Sequence, residues 1–367
     1  MNRTQRHVFD ALLAVGGARP VMPSGLIERL GEHLISGCNA AAADWKGQRI
    51  FMSKSLLVQA RQCEGLIIAN SENPHTALAV PTAVGIVAHR AVQICYTHPD
   101  LPIEESVEAA LEASCADELF AAFWAEASIG AQSDLRVSML AKTVDFVDSF
   151  PPLAPSWTPR FEASFQAPLD SVLLGARCDL VLGRPKADDK QTMFLTDLKT
   201  GALRDSHFDE AMFYALVSTL HHGVAPFRST VFSLASHEWT DPDVDAQRLF
   251  DVADAVVDAV GHVVEAKLGR REPELTPGSH CTFCPARVTC ASFDPTAGDE
   301  TNGERTVNAA TAPNVATAPN VAFTPAPPRS PATGPSVEAS SVDEPSIFDI
   351  DDDYNPDIDD QLATVDC

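Results

Sequence analysis

Two acids and a lysine in the middle of the chain have the spacing of a site for phosphodiester hydrolysis. Asp179 lies in the segment GARCDLVL, and Asp197 and Lys199 lie two residues apart in FLTDLKTG. Both segments have the period-two pattern of β-strands, so Asp197 and Lys199 share a face that an antiparallel neighbour can share with Asp179. Converging carboxylates suit Mg²⁺ or Mn²⁺. A lysine beside the metal can orient or help to deprotonate an attacking water.

The alternative for a bare D-x-K tripeptide is a surface salt bridge. Asp197 and Lys199, however, interrupt an otherwise apolar strand, where unpaired charge is costly. A helix is predicted over 207–222, shortly after this strand, and on it Glu210 and Tyr214 are four residues apart on one face. This context favours a functional site.

A second constellation consists of cysteines. Three of the nine cysteines form the C-x2-C-x5-C cluster HCTFCPARVTC, at Cys281, Cys284 and Cys290. The odd number of cysteines argues against a disulfide framework. Closely spaced thiolates indicate a metal or cluster whose fourth ligand lies elsewhere, and zinc with His280 is one alternative, although ligation by two adjacent residues is awkward. Four of the remaining cysteines are expected to be small core residues: Cys38, Cys95, Cys115 and Cys178. Cys367 is expected to be exposed and unliganded.

The elements that must position these residues alternate in type. Apolar periodicity predicts helices over 4–14, 25–36, 81–96, 105–127, 134–149, 207–222 and 245–268. Strands are predicted over 161–169, 172–182, 193–199 and 228–236, with a turn over 184–191. This order predicts an α/β core with helical additions. The missing G-x-x-x-x-G-K-[ST], G-x-G-x-x-G and G-x-S-x-G motifs argue against an ATP-driven motor, a dinucleotide enzyme and a hydrolase of the nucleophile-elbow type.

Charge is distributed unevenly over the 367 residues. The chain has 26 Lys+Arg against 51 Asp+Glu, a net charge of −25, and residues 294–367 carry 15 of the acids and two of the bases, a net of −13. That segment also contains the repeat ATAPNVATAPNV and is predicted to be disordered. It is either a solubilising tail or a docking segment for a partner protein, through the apolar residues of SIFDIDDDYNPDIDD.

The body, with a net charge of −12, requires a local basic path if it binds nucleic acid. The candidates for this path are Lys142, Arg160, Arg177, Lys199 and Arg204. No apolar run is long enough for a membrane span, and the first residues lack a secretory signal. We therefore expect a cytoplasmic protein, bacterial or phage-encoded, with no membrane partner.

The motifs, taken in order, resemble those of the PD-(D/E)xK nucleases, and in particular their RecB-like branch. GARCDLVL, FLTDLKTG and HFDEAMFYALV resemble motif II, motif III and the Q-x-x-x-Y segment, and Gly85 to His89 matches the upstream G-x-x-x-H. The resemblance implies a restriction-endonuclease-like core with a small mixed sheet flanked by helices. It implies that Lys199 is the catalytic lysine, and that Tyr214 contacts DNA or orients this lysine. It implies these metal ligands: His89, Asp179, Asp197 and the Leu198 carbonyl.

Two positions depart from this pattern or extend it. Glu210 stands where the family usually has Gln, although it is retained among the catalytic candidates beside Tyr214. Glu162 lies on the first strand, where many relatives carry an acid, and it is a supporting candidate.

RecB-like iron–sulfur nucleases, among them AddB-type subunits and CRISPR-associated exonucleases, share the cysteine pattern. Their fourth cysteine follows an S-x-S-x-L helix, which MSKSLLVQARQC resembles, although Glu64 follows Cys63 where relatives often have Pro. The resemblance implies one [4Fe–4S] cluster that staples the N-terminal part of the domain to its end. Its implied ligands are Cys63, Cys281, Cys284 and Cys290.

The resemblance covers 50–293, between a helical extension over 1–49 and the tail over 294–367. It implies a metal-dependent DNA nuclease, an exonuclease on DNA ends or single strands, which serves repair, recombination, phage or CRISPR processing. Any unwinding would come from a helicase or recombination partner. The alternatives are an inactive DNA-binding or assembly subunit and a zinc-stapled interaction protein that works through its acidic tail.

Overall fold

The computed structural model describes residues 1–13, 22–72, 78–185 and 191–293, and a mixed five-stranded sheet organises them. The strands are β1 (Ile50–Met52), β2 (Arg160–Leu169), β3 (Val172–Leu182), β4 (Phe194–Lys199) and β5 (Arg228–Ser233). β2 is antiparallel to β3 along most of its length, while β1 and β4 pair with opposite ends of β3. β4 and β5 are parallel and joined through a helix. The predicted α/β core with a small mixed sheet is confirmed.

Helices flank this sheet. They are α1 (Arg3–Val8), α2 (Leu26–Ala41), α3 (Lys54–Gln62), α4 (Glu64–Glu72), α5 (Val80–Thr97), α6 (Ile103–Ser114), α7 (Glu118–Glu126), α8 (Ile129–Ser149), α9 (Ser206–His222) and α10 (Ala246–Leu268). The single helix predicted over 105–127 is wrong. α6 ends at Ser114, and Asp117 caps the start of α7, because its carboxylate accepts the Phe120 N–H, which the first turn leaves without a partner.

The central strands are buried on both faces, and their residues alternate between two cores. Leu195 and Val231 join the larger core, which α2, α9 and α10 cover. Phe194 and Phe232 join the second core, together with side chains of α8 and of the first thirteen residues. The N-terminal residues and α2 therefore bury apolar surface against the same sheet as the rest of the domain.

A third, smaller core lies between α5, α6 and α8. Within the described residues no helix is both long and apolar enough to cross a membrane. Cys38 and Cys178 are buried in the larger core, as predicted for core thiols, and burial raises the pKa of Cys38 to about 11. The expectations for the tail over 294–367, including Cys367, lie outside the described residues, as does most of the expected turn over 184–191.

Candidate active site

Asp197 is the most buried acid of the site. Its side chain is only 2% exposed, and its Oδ2 lies 2.5 Å from Lys199 Nζ on the same face of β4. Its Oδ1 accepts a hydrogen bond of 2.7 Å from the Tyr214 hydroxyl and lies 2.7 Å from Lys54 Nζ. Burial alone would raise the pKa of Asp197, but the two ammonium groups outweigh burial and hold that pKa well below its usual range.

α9 brings Glu210 and Tyr214 to this carboxylate, one helical turn apart. Glu210 Oε2 lies 3.0 Å from Lys199 Nζ, so Lys199 is bracketed by two acids. Burial opposes the charge on Lys199, but Asp197 and Glu210 together raise its pKa above the ordinary value. Lys199 is therefore held as a cation. Tyr214 is 1% exposed, and burial beside Asp197 raises the pKa of its phenol, which keeps the hydroxyl a hydrogen-bond donor.

Asp179 lies on the neighbouring strand, opposite Asp197. The antiparallel register of β3 and β4 pairs Leu180 with Thr196. Asp179, which precedes Leu180, therefore lies across from Asp197, which follows Thr196. Asp179 Oδ2 accepts a 2.6 Å hydrogen bond from the Leu198 N–H, which fixes one of its oxygens against β4. The sequence-predicted acids Asp179 and Asp197 thus converge where the pairing of β3 with β4 ends.

Asp179, His89 and Glu162 form a group in which one ligand atom from each lies within 4.8 Å of the others. The His89 imidazole projects from α5, and its Nδ1 lies 3.5 Å from Asp179 Oδ1. Burial would lower the pKa of His89, but the Asp179 carboxylate raises it overall. For Glu162, burial and the charge of Asp179 raise the carboxyl pKa, whereas Arg177, 3.0 Å away, lowers it.

The backbone at Glu162, next to this group, has a strained conformation. Its φ is +50°, a left-handed conformation that an L-residue with a long side chain rarely adopts. In the hairpin register Phe161 pairs with Leu180 and Ala163 with Cys178, so Glu162 faces Asp179. Strained non-glycine residues are found where the surrounding structure requires them, commonly in functional sites. Glu162, only a supporting candidate from sequence, is therefore placed with the predicted ligands.

Lys54 is the residue of this site that the sequence motifs did not identify. It is the first residue of α3, within MSKSLL, and its side chain is 27% exposed, close to the 26% of Lys199. Its Nζ also lies 3.5 Å from Glu210 Oε2 and 5.0 Å from the centre of the Tyr214 ring. A lysine in the first turn of a helix, where acids are preferred, was the available sequence signal.

This arrangement can do metal-assisted chemistry on an anionic substrate. An imidazole and two carboxylates form a donor set for a hard divalent cation. A protonated lysine lies on the adjacent carboxylate, with its side chain partly open to solvent. Residues 59–291 match the family model of the PD-(D/E)XK nuclease superfamily, which is more than half of the chain.

The chain belongs to the PD-(D/E)XK nuclease superfamily. Membership indicates phosphodiester hydrolysis with a divalent metal, the chemistry to which the site geometry is suited. The crystal structure of SSO0001 is a distant structural match, with a TM-score of 0.31 and 10% sequence identity, over 72% of this chain and 97% of that one. No curated protein matches the chain.

In this PD-(D/E)XK family member Cys63 lies at the other end of α3 from Lys54, which contacts Asp197. Cys63 caps the C-terminus of α3, and its Sγ lies 3.9 Å from the Glu274 carbonyl, in the segment that leads to the C-terminal cysteines. The pKa of Cys284 is raised by burial and further by the nearby thiols, which are Cys281, Cys290 and Cys63. Cys63 therefore lies against the segment that leads to Cys281. His280 Nε2 lies 3.8 Å from Cys281 Sγ.

The side chain of Glu64, the residue after Cys63, links the segments around these cysteines. Its side chain is 3% exposed, and its carboxylate accepts two hydrogen bonds from Arg271, of 2.7 and 2.5 Å, and one of 2.8 Å from the Glu274 N–H. His262 Nδ1 of α10 lies 2.5 Å from the same group. Glu64 thus joins the start of α4 to α10 and to the segment before Cys281.

Proposed function

We propose that the protein is a metal-dependent DNA nuclease that acts as an exonuclease on DNA ends or single strands. The observation that carries the proposal is the convergence of His89, Glu162 and Asp179 beside the Asp197–Lys199 ion pair. Phosphodiester hydrolysis follows from the family. DNA as substrate and exonucleolytic action are supported by the resemblance of the ordered motifs to RecB-like nucleases.

The proposed metal ligands are His89, Asp179 and Asp197, with the Leu198 carbonyl and with Glu162 as an addition. The donor chemistry fits Mg²⁺ or Mn²⁺, because oxygen donors dominate the set and the charge of the carboxylates suits a divalent ion. A cation bound there supplies positive charge to a phosphate oxygen and lowers the pKa of water.

The chain's own groups have distinct tasks in this proposal. Lys199, kept protonated by Asp197 and Glu210, faces the substrate as a cation and stabilises the negative charge that develops on the phosphate. Tyr214 holds Asp197 Oδ1 in place through its hydrogen bond. Asp179 accepts a hydrogen bond from the Leu198 N–H, which ties its carboxylate to the end of β4.

The experiment is a cleavage assay with end-labelled single-stranded DNA and Mn²⁺ or Mg²⁺. The full chain should degrade the substrate, and EDTA should stop it. Asp179→Ala and Lys199→Met should each lower the rate about 100-fold or more, as expected when a charged group that acts in the transition state is lost. Lys46→Met, at an exposed position outside the site, is the matched control.

The substrate form separates the remaining possibilities. Linear DNA should be degraded and closed circular DNA spared if the enzyme requires ends. Variants that cleave as fast as the parent would show that the activity belongs to a contaminant or to another site. DNA binding without cleavage by the parent would indicate an inactive binding subunit. Unwinding of duplex DNA is assigned to a helicase partner.

We further propose that Cys63, Cys281, Cys284 and Cys290 hold one [4Fe–4S] cluster with a structural role. The contact of Cys63 Sγ with the Glu274 carbonyl, in the segment that leads to the three C-terminal cysteines, supports a shared ligand. Protein purified without oxygen should contain about four iron and four sulfide ions per chain, which is the composition of a cubane. Cys284→Ser should lose both. Colourless protein with one zinc ion would instead support ligation that includes His280.

A further inference from the structure

Lys54 has no assigned role in the proposed function, on which the following inference rests. Its ammonium lies next to two acids of the site, at 2.7 Å from Asp197 Oδ1 and 3.5 Å from Glu210 Oε2. The positive end of the α3 dipole makes the first turn of that helix an unfavourable place for a lysine. Its position therefore serves the acids and not the stability of the helix.

The balance of charge among two acids and two lysines explains why Lys54 lies at this place. Asp197 and Glu210 are 2% and 12% exposed, and each contacts both Lys54 and Lys199. The formal charges of the two carboxylates and the two ammonium groups sum to zero. Without Lys54, one ammonium would face two largely buried carboxylates, and an uncompensated buried charge is costly.

We propose that Lys54 is a positioning residue that acts through Asp197, by offsetting the negative charge that Glu210 brings to the site. Glu210 stands where a neutral Gln is usual in the motif that the sequence resembles, and Lys54 supplies the compensating charge. The neutral balance sets the field at the neighbouring group of His89 and Asp179. Lys54 and Glu210 together therefore determine how tightly that group binds a divalent cation.

The test is a charge-balance cycle measured by calorimetric titration of Mn²⁺ into the full chain. Lys54→Met removes a positive charge and should tighten Mn²⁺ binding about tenfold, while Glu210→Gln removes a negative charge and should weaken it about tenfold. The double variant restores neutrality and should return to within about threefold of the parent. Turnover at saturating Mn²⁺ should fall in Lys54→Met and recover in the double variant.

Two controls exclude a merely structural effect. Lys54→Arg keeps the charge and should bind Mn²⁺ as the parent does, and Lys46→Met removes an exposed charge elsewhere and should change nothing. Lys54→Gln replaces Lys54→Met if the methionine variant does not fold. A structural role alone would weaken binding in both single variants and still further in the double variant.

The outcomes for this inference and for the proposed function differ. If the parent binds Mn²⁺ and cleaves DNA but the single variants do not shift the affinity in opposite directions, only the role of Lys54 is wrong. If the parent neither binds Mn²⁺ nor cleaves DNA, the proposed function is wrong, and the role of Lys54 fails with it.

Discussion

Replacement of Glu64 by Gln should destabilise the protein by about 2 kcal/mol, much more than the loss of an ordinary surface ion pair. The Glu64 side chain is 3% exposed, and Arg271 holds both of its oxygens. The Arg271 hydrogen bonds are the main cause that lowers the Glu64 pKa from 4.5 to about 2, which corresponds to about 3 kcal/mol in favour of the ionised form. Solvent screens Arg271, whose side chain is 47% exposed, and reduces the net cost to about 2 kcal/mol.

The neighbouring arginine provides a matched control. Arg270 Nη1 lies 2.8 Å from Asp44 Oδ2, but the two side chains are 47% and 64% exposed. Asp44→Asn should therefore leave the stability nearly unchanged. Urea denaturation of both variants at pH 7, followed by circular dichroism, measures the difference as a shift in midpoint at constant slope. A Glu64→Gln variant no less stable than Asp44→Asn would refute the view that Glu64 fastens α4 to the segment before Cys281.

The remaining predictions concern packing, a buried hydrogen bond and the tail. Gly37→Ala should destabilise the protein by about 1–3 kcal/mol in thermal unfolding, because the new Cβ would lie 2.6 Å from a methyl group of Val257, whose branched side chain is stiff. Tyr214→Phe should cost about 1–2 kcal/mol and slow cleavage, because buried Asp197 loses a donor. Deletion of 294–367 should leave the cleavage rate and the melting temperature unchanged, since its composition does not support a packed core.

Each of these predictions has an outcome that contradicts it. Gly31 lies on the same helix as Gly37 with nothing near its Cβ position, so Gly31→Ala should stabilise the protein slightly through helix propensity. Equal effects of the two alanines would show that the α2–α10 contact is not tight. An unchanged cleavage rate in Tyr214→Phe would show that the Tyr214 hydroxyl does not contribute to cleavage. An inactive truncation would place the end of the domain beyond residue 293.

The local patterns of the sequence account for much of the arrangement on β4 and α9. Alternation in FLTDLK placed Asp197 and Lys199 on one face, and the structure has both at the end of β4 with their charged groups 2.5 Å apart. Helical spacing placed Glu210 and Tyr214 together, and both contact this pair. These relations extend over two to four residues, so backbone geometry alone determines them.

Periodicity could not separate helices that are joined without an apolar break. The run over 105–127 is apolar at helical spacing throughout, so the end of α6 and the start of α7 were merged. The boundary depends on the capping carboxylate of Asp117, which satisfies a backbone N–H that a continuous helix would pair internally. A cap is a weak signal in a sequence because the same residue type is common in exposed helix positions.

What the sequence by itself determined is the set of groups that could do chemistry and the strand or helix that carries each of them. What only the tertiary structure decided is which charged groups lie next to one another. Lys54 meets Asp197 across 143 residues, and the left-handed backbone of Glu162 turns a third acid toward His89 and Asp179. Both depend on how helices and strands pack at long range, where the cost of burying unpaired charge selects the partners, and no local period encodes that selection.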